Sequence, residues 1–394
     1  MLRRLVAVPV LAAAATLLAT AAPAAAADSW DVPHSARITI TGHGYGHGKG
    51  LSQYGAQRAA KLGAGYGQIV SYYYPHTRWG TAGGSVRVWI SRDLTNDVQV
   101  RARPGLIARQ TGTSRTWNLT RAVPRADRWR IVPEGDRVSV LQYHRGGWHG
   151  YRRVAGQLEL SAGGAPVRLY TADGSSTYRG ILRSVPSSPG NRITVNVVTL
   201  ETYLRGVVPA ETFASTWEQQ ALRAQAVAAR TYAVHERADR RGANYDLCET
   251  EACQAYGGAS REYPTTDAAV RATARRILTY AGRPAFTQFT ASSGGWTVDG
   301  GPPYLPARRD KWDSTSDPNH SWSVGFRDTE LEAAWPAVGD LTHVSIAGRD
   351  GHGDWGGRAG SVTLTGTRGS VTVSGSDFSQ RLRLRSSWLT LRVG

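Results

Sequence analysis

Apolar and polar residues alternate with period two along much of this chain, and the pattern changes to steps of three and four in only a few places. The most informative change lies between Ile193 and Arg237. Ile193, Val195 and Val197 alternate with Thr194 and Asn196, the pattern of a half-buried strand. Leu200, Tyr203, Leu204 and Val207 then make one apolar stripe, with Thr199 placed to cap a short helix and Pro209 to end it. A second helix is predicted at once: Ser215 and Glu218 have capping-box spacing, and Leu222, Gln225, Ala226, Ala229 and Ala233 share a face.

The remaining pattern is mostly strand. Ile38 and Ile40 alternate with Thr39 and Thr41, then run into a glycine-rich stretch holding Gly42, Gly44, Gly46, Gly48 and Gly50. Ser52 opens a predicted helix through Lys61, with Gly63 near its end. Short alternating runs fill residues 86–160 and continue over 167–182, broken by turn residues such as Asp136 and the paired glycines 146–147 and 163–164. A third helix is predicted over 267–278, capped by Thr265 or Thr266. Residues 280–284 form a turn into a strand at 285–293, and the tail alternates apart from one helical turn near Ser376–Leu382. The predicted fold is α+β, a strand-rich scaffold with a few helices around the strand-helix-loop-helix segment 193–237.

Candidate chemistry concentrates in the loop Pro209–Ala214, where Glu211 is the one ionisable group. Packing of the two flanking helix faces would place this carboxyl at their junction, where desolvation raises its pKa and keeps a proton available for general acid catalysis. The alternatives are a surface glutamate, or an acid near the start of the second helix that complements its dipole. His43 and His47 lack a third ligand nearby and read as part of a hydrogen-bonded turn. Ser292 and Ser293 lack the G-x-S-x-G elbow of a nucleophile.

Composition narrows the setting. Met1-Leu2-Arg3-Arg4, an apolar run from Leu5 to about Ala19 and the alanines 25–27 read as a secretory leader over 1–27, with a linker over 28–35. No later stretch is apolar and long enough for a membrane span, so an exported, extracellular, wall-associated protein is expected. The formal charge of +17 suits polyanions. Export and the lack of a nucleic-acid motif point to anionic wall polymers in preference to nucleic acid. Thirteen Trp and seventeen Tyr against five Phe supply rings suited to sugar stacking as well as to packing. Cys248 and Cys253 are the two cysteines, and export favours a disulfide between them. A zinc site using both thiols and His235 is the alternative.

The stretches VNVVTLETYLRGVVPAE and ALRAQAVAARTYA resemble the signature of the stage II sporulation protein D (SpoIID) and amidase-enhancer family. GHGYGHGKGLSQYGA at residues 42–56 resembles the family's GHGxGMSQYGA motif, with Leu51 in the place of Met. Ser292-Ser293-Gly294-Gly295 resembles its SSGG motif, and PPYLPARRDKWD its PYL segment with following acids such as Asp310 and Asp313, which as residues read as surface or turn positions. The family's GHG motif lies near the C-terminal end of the domain, so residues 36–80 here imply a permuted order, followed by a β-rich part (86–190), a catalytic core (191–330) and a C-terminal β part (331–394).

The resemblance implies a lytic transglycosylase that acts on peptidoglycan glycan strands without a cofactor, Glu211 being its catalytic acid. Gln53, Tyr54, Gln225, Arg230, Ser292, Ser293 and Gly294 are then candidates for substrate binding, Arg230 alternatively for a structural ion pair and Glu201 for a supporting role. The family's zinc-binding pattern tends to show His where Ala252 stands, which argues against metal here. A non-catalytic protein that activates a wall amidase is the other function the resemblance implies.

Overall fold

The computed structural model describes residues 28–394, so the leader expected over 1–27 lies outside the described residues. The fold is α+β, as the pattern predicts. The eight α-helices among these residues are α1 (Gln53–Lys61), α2 (Tyr66–Tyr73), α3 (Leu119–Ala122), α4 (Leu200–Glu211), α5 (Gln219–Asp239), α6 (Pro264–Ala272), α7 (Asp328–Ala334) and α8 (Gly375–Arg381). None is long and apolar enough to cross a membrane.

Two sheets and three helices share the largest core. The seven-stranded sheet runs in the order Leu247–Cys248, Ser85–Trp89, Asn191–Thr199, Ile181–Ser188, Leu158–Ser161, Ile107–Gln110, Thr116–Asn118. The six-stranded sheet runs Trp148–Ala155, Val138–His144, Arg128–Glu134, Val98–Arg101, Val167–Thr171, Gly174–Tyr178. Alternate residues of both, among them Val88, Leu160, Val100, Ile131 and Leu169, meet Leu204 and Val207 of α4, Leu222 and Ala229 of α5 and Val270 of α6. This burial of one face per strand is what the period-two pattern encodes.

A second core joins the chain ends. Arg37–His43 lies between Ser321–Arg327 and Leu389–Val393, antiparallel to both, with Ile40 opposite Val324 and Leu391. The N-terminal segment thus packs on the C-terminal strands, as the permuted motif order leads one to expect. Asp28–Asp31, read above as linker, pairs with Leu341–Ala347 as the outer strand of a four-stranded sheet.

Helix α5 connects the first core to a third. Ala226, Ala229 and Ala233 face the sheets, whereas Ala224, Val227 and Ala228 face Ala56 of α1, Val70 of α2 and Leu278. A helix buried on two sides needs small residues all round, which the alanine run supplies.

Local predictions fail where distant partners intervene. Pro209 does not end α4, which continues to Glu211. Proline leaves the carbonyl four residues back without its helical donor. That carbonyl belongs to Arg205; nearer the end, Gly257 N donates to Gly206 O at 3.1 Å and the C-cap Thr212 Oγ1 to Val208 O at 2.7 Å. Helix α5 is capped at Glu218, without the Ser215 capping box, because residues 213–217 form a turn and Gln57 Oε1 accepts from Glu218 N at 2.8 Å. Helix α6 starts at Pro264 and stops at Ala272; Arg275 takes φ 65° and Arg276–Tyr280 becomes a strand paired with Arg78–Thr81. Of the strand expected at 285–293, Phe289–Thr290 pairs with Leu51–Ser52 and Ser292 makes an isolated bridge to Tyr45.

Candidate active site

Glu211 is the last residue of α4, and three segments close around its carboxyl. The strand Asn191–Thr199 feeds straight into the helix, where Thr199 Oγ1 accepts from Thr202 N at 3.3 Å as the cap. Residues 254–257 cross the far end: Tyr203 Oη donates to Gln254 Oε1 at 3.0 Å, and Ala255 N donates to Glu211 Oε1 at 2.7 Å. A Cβ on Gly206 would stand 2.6 Å from the Tyr256 ring and 2.8 Å from Gly258 O, so glycine is what permits this close crossing. From α1, the Gln53 side chain is the other hydrogen-bond partner of the carboxyl.

Burial pushes the Glu211 carboxyl up to about 7; the hydrogen bonds from Ala255 and Gln53 act the other way, and the charge of Glu251 adds to the rise. Its position at a helix C-terminus also disfavours negative charge, since the macrodipole there is negative. A carboxylic acid with this pKa retains its proton near neutrality and gives it up easily, as a general acid must.

Aromatic rings stand beside it. Tyr54, next to Gln53 on α1, meets Trp217 edge-on at 5.4 Å and Phe213 at 6.2 Å, and Phe213 is two residues beyond Glu211. Phe213 is 57% exposed, although it is large and apolar. Tyr54, Gln57, Trp217, Trp312, Asp313 and Asp317 line an adjoining hollow of about 200 Å³. A proton donor beside exposed ring faces and a partly polar hollow can hold a sugar chain and protonate an oxygen within it.

Residues 189–280 match the family described as Stage II sporulation protein, SpoIID. The amidase enhancer of Bacillus subtilis (strain 168) is 34% identical over 135 residues, 33% of this chain and 17% of that protein. The stage II sporulation protein D of the same organism is 54% identical over 41 residues, 10% of this chain and 12% of its own. An uncharacterized protein of Brachyspira hyodysenteriae is 36% identical over 121 residues, 30% of this chain and 32% of that one. The chain is similar to the SpoIID family over residues 189–280. It spans about a third or less of the length of these relatives. No solved structure matches it.

Of the residues expected to serve this SpoIID-like site, Gln53 and Tyr54 sit at Glu211, and Gln225 lies one step behind, its Oε1 3.5 Å from Gln53 Nε2. Gln225 is buried and its Nε2 has no partner. Arg230 does not reach the site. It is fully buried; its guanidinium forms a paired contact with Glu201 at 2.8 and 3.0 Å, and donates to Thr273 Oγ1 and the Val270 and Arg276 carbonyls. It is therefore the ion pair that ties α4, α5 and α6 together, with Glu201 in the supporting role.

Ser292, Ser293 and Gly294 are buried as well and present nothing to a sugar. Ser292 Oγ donates to Asp317 Oδ2 at 2.5 Å, and Ser293 Oγ to Asp310 Oδ2 at 2.8 Å. Gly294, at φ 71°, lies so close to the glycine-rich segment that a Cβ would stand 2.4 Å from Gly44 N. The SSGG turn is thus a clamp on the N-terminal motif, reinforced by the Tyr45 and Ser292 pairing. Asp310 and Asp313 are not surface residues. Tyr73 Oη and Ser293 Oγ donate to Asp310, while Asp313 meets His320 Nδ1 at 2.5 Å, and burial pushes Asp313 up to about 6.

Cys248 and Cys253 form a disulfide, with Cα atoms 5.4 Å apart. The loop it closes carries Glu251 and leads to Ala255, so it shapes the surroundings of Glu211. His235 stacks on Phe286 and lines a separate hollow, and no group of three His, Cys, Asp or Glu converges as a ligand set among the described residues. Phe213, Trp217 and Trp312 escaped the sequence reading; the excess of Trp and Tyr was their one signal.

Proposed function

We propose that this chain is an exported lytic transglycosylase acting on the glycan strands of peptidoglycan, with Glu211 as its acid and base. The observation that carries the reading is the half-buried Glu211 carboxyl, held near 7 beside the Tyr54, Phe213 and Trp217 cluster. Glu211 protonates the oxygen leaving the N-acetylmuramic acid C1. Its carboxylate then takes the proton from the C6 hydroxyl of the same sugar as that oxygen attacks C1, leaving a 1,6-anhydro end and restoring the acid. No water is activated, so one carboxyl suffices, and the internal hydroxyl attacks at high effective molarity. An inverting hydrolase would need a second carboxylate facing the first across the bond.

The same site supports a second reading, in which the chain binds glycan and activates a wall amidase; similarity to a protein named amidase enhancer favours it. Turnover of purified glycan strands by wild type and by Glu211→Gln separates the two. The transglycosylase reading requires turnover that falls above pH 7 and is lost in the variant; the activator reading requires no turnover by either protein and amidase stimulation by both.

A further inference from the structure

The outward face of the six-stranded sheet carries a row of arginines that the Glu211 site does not use. Residues 98–178 hold thirteen Arg and no Lys against five Asp and Glu, which is +8 of the chain's +17. Strand register concentrates this charge. Arg101 lies directly opposite Arg128, and Leu169 opposite Val100, so continuing the register sets Arg168 opposite Arg101 on the other side. Burial alternates along these strands, with Val100, Trp129 and Leu169 inside, so the three guanidinium side chains share the outer face. Strands are about 4.8 Å apart, and like charges directly opposite destabilise a sheet. Among the described residues, no carboxylate lies within salt-bridge distance of Arg101, Arg128 or Arg168.

A hollow of about 360 Å³ opens beside this row, lined by Arg101, Arg103, Arg168 and Arg179 and by no acidic residue. Arg179 alone of the four is paired, with Glu262 at 2.7 Å. Arg103 donates through one terminal nitrogen to Pro166 O, but its Nε is buried without a partner. Several guanidiniums on one hollow suit a phosphate, which pairs bidentately with a guanidinium and has further oxygens to accept from others.

The rings of this face argue against nucleic acid. Arg128 lies 4.7 Å over Tyr170, and Arg130 lies 4.1 Å over Trp148. Guanidiniums already occupy the ring faces on which bases would stack, and such stacking is what single-stranded nucleic acid binding relies on.

We propose that this face is a binding track for a polyanion of linked phosphates without bases, with Arg101, Arg128 and Arg168 contacting its phosphates and Arg103 completing the hollow. The test measures binding of medium-chain inorganic polyphosphate to the purified full chain at several salt concentrations. It compares wild type with Arg101→Gln/Arg128→Gln/Arg168→Gln and with the corresponding triple Lys variant. Loss of three phosphate contacts reduces the log–log salt slope by about 2 and weakens binding at least about tenfold at low salt. The Lys variant keeps the charge and is expected to retain the slope, which separates charge from any effect on folding. Unchanged binding by the Gln variant overturns the proposal, as does tighter binding of oligo(dT) or polygalacturonate than of polyphosphate.

Discussion

Replacing Glu211 by Gln should remove the proposed acid and yet stabilise the protein in alkaline solution. Burial disfavours the charged form of Glu211, holding its carboxyl at about 7 against an ordinary 4.5. Below 4.5 the carboxyl is protonated in both folded and unfolded chains. Between 4.5 and about 7 the folded chain keeps a proton that the unfolded chain has lost, so stability falls as pH rises through that window and levels off above it. At 1.36 kcal/mol per pKa unit the full effect is about 3 kcal/mol. Gln cannot ionise, and its Oε1 can still accept from Ala255 N. The variant should therefore gain about 3 kcal/mol on wild type between pH 4 and pH 8. Urea unfolding followed by tryptophan fluorescence at pH 4, 5, 6, 7 and 8 measures this difference. A gap that stays constant with pH would refute the claim that burial raises this carboxyl.

Arg230→Ala leaves Glu201 without its cation and breaks the link among three helices; a loss of about 3 kcal/mol in urea unfolding is expected, at the low end for buried pairs because the Glu201 side chain is 35% exposed. Reduced glycan affinity at unchanged stability would instead make Arg230 a ligand-binding residue. Phe213→Ala and Trp217→Ala should each weaken glycan binding about fivefold, roughly 1 kcal/mol of ring contact, with little effect on unfolding for the exposed Phe213; titration of glycan oligomers into each variant checks this. Cys248→Ser/Cys253→Ser opens a six-residue loop and should cost roughly 2 kcal/mol in chain entropy. It should also lower glycan turnover by loosening Ala255; full turnover in the double variant would detach that loop from the site.

Local periodicity was enough to read the strand at 193–199, the Thr199 cap, helix α1 from Ser52 and the α+β class, because each depends on residues a few positions apart. The surroundings of Glu211 depend on distance. Ala255 lies 44 positions away in the chain and Gln53 on a helix from the other side of the β-rich part, so nothing near Glu211 announces the groups that hold its carboxyl. The sequence leaves Arg230 between substrate binding and a structural ion pair, because one apolar stripe on α5 hides the second buried side, where its cation pairs with Glu201. Ser292 and Ser293 misled because the carboxylates that accept from their hydroxyls, Asp317 and Asp310, lie 25 and 17 positions further along the chain. Pro209 misled because it lies in the last turn of α4, where one lost helical hydrogen bond does not stop the helix before Glu211.

Product mass tests the central claim most directly. Purified glycan strands incubated with wild type should yield fragments one water lighter than hydrolysis products, the mark of a 1,6-anhydro end, and Glu211→Gln should yield none. Full-mass reducing ends, or the same anhydro fragments from the variant, would contradict the assignment of Glu211 as the acid of a lytic transglycosylase.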